Sequence, residues 1–315
     1  MTYPLPIGPL DTAIEVIDRR FEPVVRSNPE LERLCTGARW SEGPVWMHED
    51  DSVLWSDIPN DRMLRWSAAD GMRVWRDNVE FTNGHTRDLD GTLLHCSHGL
   101  RAVFRTERDG SNQRVVVDRW QGKRFNAPND IVVKSDGTIW FTDPPYGLII
   151  PEEGHGGDSE IGDCLVFRHD PKTGALDAVT DLPIEPNGLA FSPDERVLYV
   201  SDTSAALGRE ATGEHCIWIF DVVGNGTRLA NGRKFADIAP GVPDGFRVDV
   251  QGWIYTSSED SVQVFHPDGT LLGKIAVPEK VGNLTFGGPE RDLLYIAAST
   301  SLYRIRLATR GLQRP

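Results

Sequence analysis

Six short polar residues recur at comparable places along this chain: Glu42, Asn83, Asn129, Asn187, Asp244 and Asn283. Each opens an extended apolar stretch that closes in an aromatic-rich strand. The stretches read EGPVWMHEDDSVLWSD, NGHTRDLDGTLLHCSH, NDIVVKSDGTIWFTD, NGLAFSPDERVLYVSD, DGFRVDVQGWIYTSS and NLTFGGPERDLLYIAAS. Carboxylate and amide oxygens gathered at one point form the ligand set of a hard divalent cation. Two of the six openers are acidic. One or two carboxylates with neutral amide oxygens suit a single divalent ion without excess like-charge repulsion. An isolated asparagine opener reads more simply as a strand cap that bonds water. At repeat-equivalent positions, however, the set predicts metal binding by Glu42, Asn187 and Asp244. Glycine follows the opener in Glu42-Gly43, Asn83-Gly84, Asn187-Gly188 and Asp244-Gly245, which lets the backbone crowd toward a common axis.

The elements that must position these residues are strands. Successive openers lie about 40 to 60 residues apart, the spacing of propeller blades. VLWSD, TIWFTD, CLVFRHD, VLYVSD, CIWIFDV and SLYRIRL are rich in β-branched and aromatic residues. Asp-Gly pairs at 70–71, 90–91, 109–110, 136–137 and 268–269 read as tight turns between strands. Each repeat holds about four strands, so the expected fold is an all-β, six-bladed propeller with a central metal site. Residues 37–315 form this single domain. Residues 1–36 are expected to be a short N-terminal extension packed on it. There Pro4, Pro6 and Pro9 keep the start extended, and Asp11 caps a short helix with Ile14, Ile17 and Phe21 on one face. Gly-rich insertions at Asp143–Asp163 and Thr203–His215 read as binding loops or as surface excursions.

Composition narrows the partners. Lys and Arg number 33 against 47 Asp and Glu, a formal charge of −14. Without a basic cluster, nucleic acid and anionic membranes are excluded as partners. No apolar run approaches a membrane span, and the start lacks a secretory pattern, so a cytoplasmic location is expected. Cys35, Cys96, Cys164 and Cys216 make no CxxC pair and read as buried reduced thiols. Trp46, Trp55, Trp140 and Trp253 fit packing between blades. His98 either faces the channel or bonds inside its blade, His85 is equally ambiguous, and His155 belongs to a solvated loop. No GxSxG, P-loop or HExxH pattern occurs. A monomer or a homodimer is expected.

The segments SEGPVW, NGHTRD, HGLRAVFRTERDG, GKRFNAPNDIVVKSDGTIWFTDPPYG, PNGLAFSPDERVLYVSD, PGVPDGFRVD and NLTFGGP carry a resemblance. With them the chain resembles the SMP-30/gluconolactonase family of six-bladed propellers, from about Arg39 onward. The resemblance implies one divalent metal held by Glu42 of EGP, Asn187 of PNG and Asp244 of PDG. Asn129 of PND would ligate it too, or hold substrate or water beside it. It further implies hydrolysis of a lactone, mostly of sugar lactones. Asp244 is the candidate general base. Alternatively it is a ligand only, and a metal-activated water is the nucleophile. Oxygen ligands favour Ca²⁺, with Zn²⁺, Mg²⁺ and Mn²⁺ as alternatives. Asn83 and Asn129 could donate to carbonyl or hydroxyl groups of the substrate, and Tyr146, His98 and Arg124 are further candidate contacts. Vertebrate members carry an arginine two places before the PND asparagine. Here that place is Ala127 and the nearest arginine is Arg124, so the chain is closer to the bacterial gluconolactonase branch. Two other readings compete with a sugar lactonase. One is an organophosphorus-ester or other lactone hydrolase on the same scaffold, and the other is a propeller that binds a ligand without converting it.

Overall fold

The computed structural model describes residues 6–11, 13–27 and 29–312. Six antiparallel sheets form a ring of blades, with the openers at the start of the innermost strands. The first blade comprises Ser41–Met47, Ser52–Asp57, Arg62–Ser67 and Gly71–Asp77. The second starts at Thr82–Arg87, the third at Ile131–Val133 and the fourth at Pro186–Phe191. The fifth and sixth start at Phe246–Val248 and Val281–Gly287. Neighbouring innermost strands touch all the way round, the sixth meeting the first.

The ring closes through the N-terminal segment. Leu31–Thr36 pairs with Ser301–Arg306 and so supplies the fourth strand of the sixth blade. Gly8–Leu10 adds a fifth strand there, and Ile14–Val16 adds one to the fifth blade. The helix expected from Asp11 is therefore not formed. Ile14 and Val16 are β-branched and find a free sheet edge, while a 3₁₀ turn over Arg19–Val24 starts at Asp18, whose side chain accepts the Arg20 N–H. Phe21 is fully buried all the same. Pro4 lies outside the described residues.

Second strands such as Ser52–Asp57, Ile139–Asp143 and Leu293–Ala298 are buried throughout, because each blade is sandwiched between two others. Outer strands such as Gly71–Asp77 face solvent on one side. The core is accordingly divided into clusters between adjacent blades. Trp55 and Leu64 meet Tyr295 and Leu302 between the first and sixth. Phe125, Phe141 and Phe167 of the third meet Leu94 and Val103 of the second. Trp140 packs with Leu189 and Phe220 between the third and fourth, and Trp253 lies in the cluster joining the fifth and sixth. Trp46 stacks on Tyr295 with centroids 5.4 Å apart. Each fully buried side chain of this size is worth about 1.5–3 kcal/mol. Cys35, Cys96 and Cys216 are buried free thiols, and Cys164 is a half-buried one.

The innermost strands approach closely at their openers. Gly84 N–H donates to Asn129 O at 2.8 Å, Gly188 N–H to Asp244 O at 3.2 Å, and Gly245 N–H to Gly282 O at 2.8 Å. A Cβ on Gly188 would lie 2.6 Å from the Asp244 carbonyl oxygen. One on Gly43 would overlap the Asn83 carbonyl, and one on Gly245 the Asn283 amide. Hydroxyls on second strands tie the same ring. Ser56 Oγ donates to Asn83 O at 2.8 Å, Thr142 Oγ1 to Asn187 O at 2.6 Å, and Ser201 Oγ to Asp244 O at 2.7 Å. Gly245→Ala should therefore lower unfolding free energy in urea by about 1–3 kcal/mol, the range for overpacking a tight interior. A change within ~0.5 kcal/mol would mean that the ring can dilate freely.

Candidate metal centre

The axis brings together what the openers promised. Glu42, Asn83, Asn129, Asn187 and Asp244 line one cavity of about 230 Å³ at the opener end of the channel. Glu42, Asn83, Asn129 and Asn187 are buried and Asp244 is half-buried. Asn283, the sixth opener, stands beside Glu42, and its amide lowers the Glu42 carboxyl. Both insertions reach this mouth, with Tyr146, Ile150 and Glu153 from one and Thr203, Ala206 and Leu207 from the other. Trp40, Ile58, Val242 and Lys280 complete the wall.

Aspartates at the ends of second strands aim three of the openers. Asp57 accepts the N–H groups of Arg39 at 2.8 Å and Trp40 at 3.4 Å, three and two residues before Glu42. Asp143 accepts those of Asn126 at 2.8 Å and Ala127 at 2.9 Å, before Asn129. Asp202 accepts those of Ile184 at 2.7 Å and Glu185 at 3.2 Å, before Asn187. Each clamp satisfies two buried donors and fixes how the chain enters the axis. Burial pushes the Asp143 carboxyl up to about 7, against the pull of its two amide bonds.

Glu42 and Asp244 lie close enough for the charge of one carboxyl to act on the other. Burial and the neighbouring Asp244 charge hold the Glu42 carboxyl well above the ordinary range. Asp244 is raised as well, by burial first, with Asp130 adding to the rise while Lys280 and Asn187 oppose it. Glu42 Oε1 is buried and has no hydrogen-bond partner. The Asn129 amide has none among the described residues. Facing carboxylates, an orphaned carboxylate oxygen and unengaged amide oxygen fit a hard divalent cation. Among the described residues no group of three or more His, Cys, Asp or Glu could hold a metal, so amide oxygens must complete the set. Among the described residues Lys280 is the one cation on the cavity wall, set over the Trp40 ring at 5.8 Å and 3.5 Å from Glu259. Below the openers, buried Arg247 pairs with buried Asp130 at 3.2 Å. Beyond that pair a larger cavity of about 850 Å³ opens at the far end of the channel, lined by Val45, Phe191 and Phe286 among others and lacking the carboxylate pair.

The histidines support the site from behind. His98 Nδ1 bonds the Glu153 carbonyl at 3.0 Å, and a carbonyl can only accept, so Nδ1 carries the proton. Burial lowers this ring to about 4 and keeps it neutral. Its Nε2 therefore accepts from Asn83 Nδ2 at 3.3 Å, which turns the Asn83 carbonyl oxygen away from His98. His85 and His95 continue the same logic. Ser56 gives its proton to the Asn83 carbonyl, so His85 Nε2 must donate to Ser56 Oγ at 2.8 Å. His85 Nδ1 then accepts from His95 Nδ1 at 2.8 Å, and His95 Nε2 accepts from Thr106 at 2.9 Å. One backbone carbonyl thus sets both tautomers. Burial takes His85 down to about 3, and burial with the neighbouring His85 and Arg76 lowers His95.

Tyr146 is buried on the cavity wall, its hydroxyl beside Thr203 and Asn187 without a well-formed hydrogen bond. Arg124 is not brought to the cavity. It lies in a short ribbon, its guanidinium donating to Leu100 O at 3.3 Å. His155 is exposed and bonds Glu80 at 2.8 Å. Trp40, Glu153 and Lys280 were not singled out by sequence. Trp40 precedes SEGP by one residue and Lys280 stands three before Asn283, offsets that repeat in the clamps and carry a signal; Glu153 carries none, because its loop has no counterpart in other repeats.

The chain is similar to several known proteins. The sequence model of the SMP-30/Gluconolactonase/LRE-like region matches residues 40–300. A gluconolactonase from Zymomonas mobilis is 33% identical, the alignment covering 93% of this chain and 85% of that protein. The solved structure of a gluconolactonase from Xanthomonas campestris is 39% identical, with a TM-score of 0.88 over 96% of this chain and 97% of that one. A pentonolactonase from Haloferax volcanii is 28% identical over 84% of this chain and 83% of its own length. Among the described residues no helix is long and apolar enough to cross a membrane.

Two measurements test this electrostatics. With a chelator present, Glu42→Gln should raise urea stability by ~1–2 kcal/mol, because it removes the desolvation and like-charge cost of one of two neighbouring carboxyls. A loss of that size would make Glu42 a structural residue. The histidine chain predicts a pH effect. A folded-state pKa below the ordinary 6.5 means that the unfolded chain binds protons first as pH falls. Stability then drops from pH 6.5 toward 3, by about 2 kcal/mol per histidine at pH 5. Asp143 acts in the opposite sense, since its raised value favours the folded state at low pH and that gain disappears as pH rises through about 7. The comparison is therefore between wild type and His95→Gln. Wild type should lose about 2 kcal/mol more between pH 7 and pH 5, and parallel curves would show that His95 already carries charge in the fold.

Proposed function

This chain belongs to the SMP-30/gluconolactonase/LRE-like family, and on that premise we propose that it hydrolyses a sugar lactone to the aldonic acid with a divalent cation at the opener ring. The observation that carries this reading is the Glu42–Asp244 pair, two carboxyls raised by burial at one cavity with Glu42 Oε1 left without a partner. Glu42, Asn129, Asn187 and Asp244 would hold the cation, Ca²⁺ by the hardness of its oxygen donors. When bound, the cation supplies Lewis-acid polarisation of the lactone carbonyl and makes water more acidic.

The chain's own residues supply the rest. Asp244 takes a proton from the attacking water, whose oxygen bonds to the carbonyl carbon. The bond from that carbon to the ring oxygen breaks, and the ring oxygen gains a proton to become the product hydroxyl. Asn129 and the remaining Asn83 N–H orient the substrate, while His98 acts as a positioning residue behind Asn83. Tyr146 places its hydroxyl at the cavity wall, and Trp40, Ile58, Ile150 and Val242 give the substrate ring an apolar surface that limits water.

Proton release on D-glucono-1,5-lactone near pH 7, corrected for spontaneous opening, tests the reading. Wild type should accelerate opening, a chelator should abolish the effect, and added Ca²⁺ should restore it. Asp244→Ala should lose at least ~10²-fold, the contribution of a general base. No acceleration by wild type with cation demonstrably bound would reject gluconolactone as substrate class.

A further inference from the structure

The wall that faces the openers is a fixed surface that carries an unpaired carboxyl. Tyr146–Ile149 forms a single helical turn after Pro145, and Glu153 N–H closes the next turn onto Ile150 O at 3.0 Å. Gly147 lies against His98, where a Cβ would come 2.6 Å from the His98 Cβ. Gly154 in turn packs on the Gly147 backbone, leaving no room for a side chain. The bond from His98 Nδ1 to the Glu153 carbonyl locks the segment to the second blade. These contacts bring Tyr146, Ile150 and Glu153 to the same cavity.

Glu153 is half-buried on the cavity wall, and its carboxyl has no hydrogen-bond or ion-pair partner among the described residues. Burial, with Asp244 nearby, pushes it up to about 7. A half-buried carboxyl at the cavity wall without a protein partner keeps its acceptor oxygens available to a ligand. It comes from the wall and not from the axial ring, so it meets a part of the ligand other than the reacting carbonyl. Two carboxyl oxygens can accept from adjacent hydroxyls, the pattern a sugar ring offers and an alkyl ring does not.

We propose that Glu153 binds the hydroxyl groups of the lactone and gives the enzyme its preference for polyhydroxylated over unsubstituted lactones. The inference rests on the lactonase reading for its kinetic part only. Wild type, Glu153→Gln and Glu153→Ala would be compared on D-glucono-1,5-lactone and on δ-valerolactone, which has the same ring size and no hydroxyls. Binding of the polyol D-glucitol would be measured alongside by calorimetry. Glu153→Ala should lower kcat/KM on gluconolactone by about 10- to 100-fold and weaken D-glucitol to a similar degree. Its effect on δ-valerolactone should stay within about threefold, with Glu153→Gln in between. Equal losses on both lactones, or no loss on either, would overturn the assignment. Should wild type open neither lactone, the lactonase reading fails. D-glucitol binding then decides Glu153 alone: weakened binding in both variants supports it, and unchanged or absent binding rejects it.

Discussion

Everything at the axis depends on how closely six strand starts can approach one another. Gly84, Gly188 and Gly245 donate across the gap to the next strand, and the hydroxyls of Ser56, Thr142 and Ser201 add a second tie. A side chain beyond hydrogen at these glycines would push the blades apart. The ring is then too wide for openers from the first, fourth and fifth blades to share one ligand. Packing between blades supplies most of the stability, but the backbone contacts set the radius, and the radius sets the chemistry.

That radius is electrostatically expensive. Two unit charges about 4 Å apart repel by roughly 4 kcal/mol at an effective dielectric of ~20. The fold answers this repulsion only in part. Lys280 and the Asn187 amide lower Asp244, the Gly43 N–H and Asn283 lower Glu42, and Arg247 balances Asp130 beneath them. The pair is left short of charge compensation, a state that folding alone does not favour and a bound cation does. The three aspartate clamps show the contrasting case. Their carboxylates are spent on backbone donors, so Asp57 and Asp202, equally buried, have no capacity left for a ligand.

Much of this was legible in the residues. Period, turn dipeptides and aromatic strands specify six blades, and the opener positions identify the five axial side chains of the cavity. The Ser-Asp and Thr-Asp endings could be read as strand ends but not as clamps, because their partners lie about 17 residues earlier and belong to a loop without pattern. The N-terminal segment misled for a related reason. Ile14, Ile17 and Phe21 suit a helical face, yet a nearby open sheet edge outweighs local propensity. His98 was ambiguous because its role is decided by one carbonyl 55 residues away. Glu153 was invisible because an unrepeated loop offers no equivalent position against which to compare it.

The pairing of Leu31–Thr36 with Ser301–Arg306 has a consequence for how the protein is made. A ribosome adds roughly 5–20 residues per second, so the first of these strands waits tens of seconds for its partner. Inner blades can form as they emerge, since their own strands are consecutive. The circle cannot shut until the last one leaves the exit tunnel, and Glu42 has no sixth-blade neighbour before then. Competence to gather ligands at the axis is thus delayed to the end of translation, and every nascent chain spends its growth as an open arc with two exposed flanks.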